Sequence, residues 1–364
     1  MKKQTDALRS GVPALLSWYE QVRRPLPFRE SPTPYRVWVS EIMLQQTRIE
    51  AVLPHFAAFM EAFPTVSALA SADDERLLKL WEGLGYYSRV RNLQKAARAV
   101  TERFGGTIPA DFDALLSLPG VGRYTAGAVA SIAYGIPVPA VDGNVLRVMA
   151  RLCDDDTDVM LPAAKTAAEQ ALAPHVPADA AGDFTQSLIE LGALVCLPGE
   201  PNCSGCPLRL VCRGLDAGHE RTLPVRNAKK TRRVEELTVL LILSGEGDGQ
   251  TVCVRRRPDT GLLGGLWEFP HVGGHADADH VRALLEKEGL TVCSVAQLPA
   301  ARHLFTHVEW RMTGYAVRID SQTVRPLWDG VWVSRELLFS DYTVPSAFSA
   351  YLACLAGRPV RRKK

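Results

Sequence analysis

Net charge is nearly absent from this chain of 364 residues: 42 basic residues against 40 acidic ones leave +2. Bulk electrostatics therefore declares no polyanionic partner, and any such surface must come from local patches. Long apolar runs are missing as well, so no helix able to span a bilayer is expected. The opening MKKQTDALRSG leads into a polar-interrupted stretch, Val12 to Trp18. It has no extended apolar core and no small-residue cleavage pattern, so no signal peptide is expected and a cytoplasmic location follows. A disulfide framework is lacking too. Four of the eight cysteines (Cys153, Cys253, Cys293, Cys354) are scattered, as suits isolated thiols in a reducing compartment. No internal repeat is visible. Apolar content is ordinary, and the length suits two domains.

What is present changes character along the chain. Residues 10–212 read as helices: 73–81, 92–103 and 163–172 carry apolar side chains at helical spacing, separated by short Pro/Gly loops. From about Glu236 the segments 237–243, 251–256, 304–315 and 330–333 are short, β-rich and partly alternating, with one helical stretch at 277–288. The expected organisation is an all-α domain over 1–213, a basic linker over 214–235, an α+β domain over 236–357 and a basic tail over 358–364. Between Arg221 and Val234 stand six basic residues and no acidic one. That run suits a solvated linker, and also one that touches phosphates.

Two motifs carry chemistry. Cys196, Cys203, Cys206 and Cys212 form C-x6-C-x2-C-x5-C within a loop at 196–212. A structural zinc site usually shows two close pairs. One pair flanked by single cysteines better suits the corners of one [4Fe–4S] cluster. The second motif is LPGVGRYTA at 118–126. Gly120 and Gly122 permit positive φ and close backbone approach, and a helix starting near Arg123 turns its free N–H groups toward the turn. With Leu118, this hairpin is suited to hold a phosphate without reading sequence.

Together with VDGN at 141–144 and the cysteine spacing, the hairpin resembles the endonuclease III (helix-hairpin-helix) superfamily of base-excision glycosylases. Within it, SEIMLQQT at 40–47, GLGYY at 83–87 and the second domain are similar to the MutY-type adenine glycosylases. The resemblance runs over nearly the whole chain and is strongest at 35–212. It implies a monofunctional adenine DNA glycosylase that acts on double-stranded DNA carrying A·8-oxoguanine or A·G mispairs. It also implies one [4Fe–4S] cluster, a monomer, and a place near the nucleoid.

Hydrolysis of an N-glycosidic bond requires protonation of the leaving base and stabilisation of a cationic sugar. Two carboxyl groups in opposite protonation states supply both. Glu41 is the candidate acid. On a helix through 37–47 its neighbours Val37, Trp38 and Leu44 are apolar, so desolvation should keep it protonated. A salt bridge to Arg29 is the competing reading. Asp142, just before a helix at 145–152, reads as an N-cap. The resemblance makes it the anion that stabilises the sugar, oriented by Asn144 and open to a hydrogen bond from Tyr124. Where strand-nicking relatives carry a Schiff-base lysine, this hairpin has Tyr124, and a phenol forms no imine. The target base must leave the stack. Gln46 and Tyr86 match positions that wedge into the duplex, Tyr87 packs, and Arg89 and Arg91 are placed to reach phosphate.

The region 236–357 resembles a Nudix fold through GLLGGLWEFP at 261–270. A metal-binding Nudix helix needs carboxylates where this chain has Ala283 and Lys287, so pyrophosphate hydrolysis is not expected. The resemblance implies lesion recognition by Phe305, Thr306 and His307, with Thr306 standing where relatives commonly carry serine. Three other readings stand beside this one: a thymine or uracil mismatch glycosylase on the same scaffold, a nucleotide pyrophosphatase, and a non-catalytic DNA-binding iron–sulfur protein.

Overall fold

The computed structural model describes residues 6–227 and 231–357; the tail at 358–364 and residues 228–230 of the linker lie outside the described residues. The chain forms two compact units, Met1–Ala72 with Ser88–Ala228 and Asp73–Tyr87 with Lys229–Lys364. This differs from the sequence expectation in two places. Residues 214–227 are not a free linker: Arg213–Asp216 is a helical turn, Arg151 Nε donates to the Leu223 carbonyl at 2.9 Å, and Val159 N–H donates to the Val225 carbonyl at 3.1 Å. The segment 73–87 groups with the second unit, where Trp267 Nε1 donates to Glu75 Oε2 at 3.2 Å and Lys79 Nζ to the Tyr342 carbonyl at 3.1 Å.

The first unit is helical. Its elements used below are α1 (Asp6–Val22), α2 (Pro34–Leu44), α3 (Ser88–Phe104), α4 (Arg123–Ala128), α5 (Gly143–Leu152), α6 (Pro162–Leu172) and α7 (Ala181–Leu194). Pro34 opens α2, and Thr33 Oγ1 caps it by accepting from Arg36 N–H at 3.3 Å. The helix stops at Leu44 rather than continuing to Thr47, because Arg89 intercepts its end. One guanidinium nitrogen of Arg89 donates to the carbonyls of Ile42 (2.8 Å), Met43 (3.0 Å) and Gln45 (2.7 Å). The orphan carbonyls of the last turn are thereby satisfied, and Gln46 turns into the left-handed region at φ 59°. Arg89 is thus a helix cap rather than a phosphate contact. A π-turn, Val129–Ala133, extends α4. The core joins Leu8 and Leu15 of α1, Val145 and Met149 of α5, and Phe184, Leu188 and Leu191 of α7. Each such large side chain contributes about 1.5–3 kcal/mol on burial.

The second unit is built on a seven-stranded sheet: β1 (Arg233–Ser244), β2 (Thr251–Arg256), β3 (Trp267–Glu268), β4 (His271–Gly273), β5 (Val292–Leu304), β6 (Val308–Ile319) and β7 (Gly330–Ser334). The path runs β3-β2-β1-β6-β5, with β4 on β1 and β7 on β2. Strand β1 lies parallel to β6 from Arg233↔Val308 to Ser244↔Ile319. It is buried continuously from Leu237 onward, which is why its sequence does not alternate. One face packs Phe269, Trp310, Phe348 and Tyr351. The other packs Tyr315 and Val317 against Val281 and Leu285 of α8 (Ala278–Lys287). The single strand expected over 304–315 is interrupted: β5 ends at Leu304 and β6 starts at Val308. Phe305, Thr306 and His307 form the connecting turn, with Phe305 N–H donating to the Val308 carbonyl at 2.8 Å.

Candidate active site

A cavity of about 970 Å³ opens in the first unit, and it gathers Glu41, Gln46, Gly120, Gly122, Tyr124, Asp142 and Asn144 from segments far apart in sequence. Glu41 sits on the last turns of α2 and is buried. Tyr124, on the first turn of α4, donates from Oη to Glu41 Oε2 at 2.5 Å. The phenol's partner is thus Glu41 and not Asp142, the acceptor expected from the sequence. Burial raises the Glu41 pKa to about 7, assisted by the nearby Asp142; the Tyr124 hydrogen bond and Arg29 oppose it. Burial also holds the Tyr124 phenol well above its ordinary value, so it remains a neutral donor.

Asp142 is the N-cap of α5. Its Oδ1 accepts from Val145 N–H at 2.7 Å, and its Oδ2 from Asn144 Nδ2 at 2.9 Å. Burial pushes its pKa up, and these donors, with Arg147, pull it back. Asn144 is itself fixed. Its Oδ1 accepts from Arg147 Nη2 at 2.9 Å, and a β-carbon on Gly192 of α7 would lie 2.5 Å from Asn144 Cβ. Only glycine at 192 lets α7 pass this close. Arg147 also donates to the carbonyls of Gly192 and Cys196, both at 2.7 Å. One face of α5, Asn144–Arg147–Arg151, therefore ties the Asp142 carboxylate to the cysteine loop.

Sequence reasoning missed the charged wall of this cavity. Glu190 of α7 is 0% exposed. It accepts from Arg24 Nε at 2.7 Å and Nη2 at 2.8 Å, and from Arg29 Nη2 at 2.8 Å. Burial pushes its pKa up, but the two guanidinium groups outweigh it and bring it down to about 2. Arg29 is therefore the partner of Glu190, not of Glu41. No local pattern signals a pair separated by 161 residues. Apolar Leu26 and Phe28 complete this side.

The hairpin meets the expectation at Gly120 but not at Gly122, which has an ordinary φ of −90° and open space where a β-carbon would stand. Leu118 is buried, Gly120 adopts φ 72°, and Gly122 precedes α4. A β-carbon on Gly120 would lie 2.5 Å from Asn92 Cβ, so glycine is required there for conformation and for space. Gln46 is exposed at the cavity edge, and Arg91 is half-buried on α3. In the second unit, Tyr86 is 49% exposed at φ 48°, while Tyr87 is buried. Tyr86 Oη lies 3.2 Å from Thr306 Oγ1, so this exposed ring and the Phe305–His307 turn form one feature of that unit. Phe305 packs on Trp310 and His303, with ring centroids 4.9 and 4.5 Å apart, leaving Thr306 and His307 exposed.

Cys196, Cys203, Cys206 and Cys212 line one small cavity of about 30 Å³ with Leu208 and Arg209. Among the described residues, no three His, Cys, Asp or Glu side chains are already arranged as ligands of a single ion. The donor set nevertheless fits a cationic cluster. Burial, and then the neighbouring sulfurs, raise Cys206 to about 12 and raise Cys203 and Cys212, so thiolates gathered here require a compensating positive centre. Arg151 Nη1 donates to Cys196 Sγ at 3.3 Å, while Arg151 Nη2 is buried without a hydrogen-bond partner among the described residues.

The sequence and the fold of the chain have known relatives. Residues 39–174 match the family model of the HhH-GPD superfamily base excision DNA repair proteins, and 238–354 match the NUDIX domain. The chain is 37% identical to the adenine DNA glycosylase of Mus musculus, over 84% of this chain and 70% of that protein. It is 36% identical to the one of Homo sapiens, over 85% and 67%. It is 34% identical to the one of Buchnera aphidicola subsp. Acyrthosiphon pisum, over 84% and 85%. Among solved structures, a thermostable thymine-DNA glycosylase aligns with a TM-score of 0.53 at 27% identity, over 58% of this chain and 100% of that one. An endonuclease III in a non-covalent complex with DNA aligns with a TM-score of 0.50 at 26% identity, over 60% and 98%. An endonuclease III-type helical unit followed by a Nudix-like unit is the architecture, and the chain belongs to the adenine DNA glycosylases of base-excision repair.

Proposed function

We propose that this protein excises adenine mispaired with 8-oxoguanine or guanine in duplex DNA, leaving the strand intact. The observation that carries the reading is the buried Glu41–Tyr124 pair beside Asp142 in one cavity. Below about pH 7 Glu41 holds a proton. The Tyr124 hydroxyl occupies its Oε2, which leaves Oε1 to carry that proton. Glu41 gives it to adenine N7, and the C1′–N9 bond breaks with its electron pair passing to the base. Asp142, held by Val145 N–H and Asn144, stabilises the positive charge left on the sugar. Glu41, now a carboxylate, takes a proton from the water that adds to C1′, which restores the acid. No lysine stands at the hairpin position of Tyr124, which supports base removal without strand nicking.

The hairpin Leu118–Gly122, Gln46 and Arg91 supply phosphate and duplex contacts. Tyr86 is the wedge, and Phe305–Thr306–His307 read the opposite base. The four cysteines would hold one [4Fe–4S] cluster, whose role when bound is to pin the loop that Arg147 and Arg151 grip. The test is a panel of duplexes carrying A·8-oxoguanine, A·G, T·G and U·G, cleaved with alkali after incubation. Alkali-labile sites opposite 8-oxoguanine and guanine at adenine alone are expected; release of thymine or uracil in preference to adenine would replace this reading with the mismatch pyrimidine glycosylase.

A further inference from the structure

A second cavity, of about 680 Å³, adjoins the one that holds Glu41, and Arg24, Arg29, Ile132 and Gln186 line both. Half of this shared wall is fixed, because Arg24 and Arg29 are clamped on buried Glu190. The other half is not. Ile132 is half-buried on the π-turn, and among the described residues the Gln186 amide donates to the Gly182 carbonyl in its own helix at 3.3 Å. Interruptions of this kind within a helix frequently mark functional sites.

The rest of the second cavity comes from the end of α1 and the segment 23–32 after it, Ser131 and Gly135 around the π-turn, the start of α7 and the loop before it. None of the hairpin residues and neither Gln46 nor Arg48 lines it. Of the two cavities, the hairpin glycines Gly120 and Gly122 line only the first. Its lining suits a free purine: the carboxylates of Glu30 and Asp179 can accept from an exocyclic amine, and Arg23 can donate to ring nitrogens.

We propose that the excised adenine leaves through this second cavity, past Gln186 and Ile132, while the DNA product is still bound. The inference rests on the reading of the first cavity as the adenine site. It separates base release from DNA release, two steps that a single mouth would force into one order.

The test uses the whole protein in excess over an A·8-oxoguanine duplex tethered to beads, with the adenine tritiated, under flow. Bond cleavage is followed by alkali treatment of quenched samples, and tritium and protein by their appearance in the effluent. Tritium is expected to leave as fast as the bond breaks, ahead of the protein. Ala178→Trp and Asp183→Trp each fill the second cavity at an exposed position outside the first. Both should cleave at the unaltered rate and lose the early tritium phase, with label and protein then leaving together. Tritium that leaves wild type only with the protein overturns the proposal, and so does an unchanged early phase in both filled variants. Absence of any alkali-labile site overturns the glycosylase reading itself, an outcome distinct from cleavage without early release.

Discussion

Glu41 lines the cavity and Glu190 stands behind its wall, holding Arg24 and Arg29; both are buried on helices of the first unit, yet they end in opposite states. Glu41 meets a phenol and a second carboxyl group, and its pKa rises to about 7. Glu190 meets two guanidinium groups, and its pKa falls to about 2. Desolvation acts on both in the same direction; the partners decide the outcome. One glutamate becomes a proton carrier near neutral pH, and the other a permanent anion that holds two arginines in the cavity wall. Exchange of roles is therefore a matter of neighbours, not of residue type.

The comparison can be broken at either end. The largest effect is expected from Glu41→Gln, which keeps shape and removes the proton: single-turnover adenine release should fall by about 10²–10⁴-fold, while binding of an A·8-oxoguanine duplex is retained. Loss of binding with an unchanged cleavage rate would deny Glu41 the acid role. Next comes Glu190→Ala. It leaves the half-buried Arg24 and Arg29 without their anion, and denaturant unfolding should show a loss of about 1–3 kcal/mol; a change near zero would make the wall ornamental. The smallest effect is expected one step away from the reacting atoms. Arg147→Met frees Asn144 and weakens the grip on Asp142, lowering kcat by roughly tenfold, about 1.4 kcal/mol, with KM little changed. A shift confined to KM would place Arg147 in binding instead.

Much of this was legible in the sequence, for a physical reason. Glu41 could be placed on an apolar face because its helical neighbours Val37, Trp38 and Leu44 lie within a few residues. Asp142 could be read as a cap because a helical pattern begins directly after it. The cysteine quartet is compact in sequence, and all four residues line one cavity. Long-range partners were not legible. Tyr124 is 83 residues from Glu41, and nothing local decides between Glu41 and Asp142 as its acceptor. The Arg24–Arg29–Glu190 cluster is hidden for the same reason. So is the capping of α2 by Arg89, which as an isolated arginine after GLGYYS looked like a phosphate contact. Within the second unit, a turn of three residues at 305–307 was absorbed into a strand because Phe305 and the residues around it have strand-like composition.

The direct test of the assignment is the pH dependence of single-turnover adenine release opposite 8-oxoguanine, from about pH 5 to about pH 9, in wild type and Tyr124→Phe. A carboxyl that must be protonated loses activity as pH rises through its folded pKa, so wild type should decline through about 7. The Tyr124 hydrogen bond lowers that value, so Tyr124→Phe should move the inflection upward. A wild-type rate flat across this range, or an inflection unmoved by Tyr124→Phe, would contradict Glu41 as the acid tuned by its phenol partner.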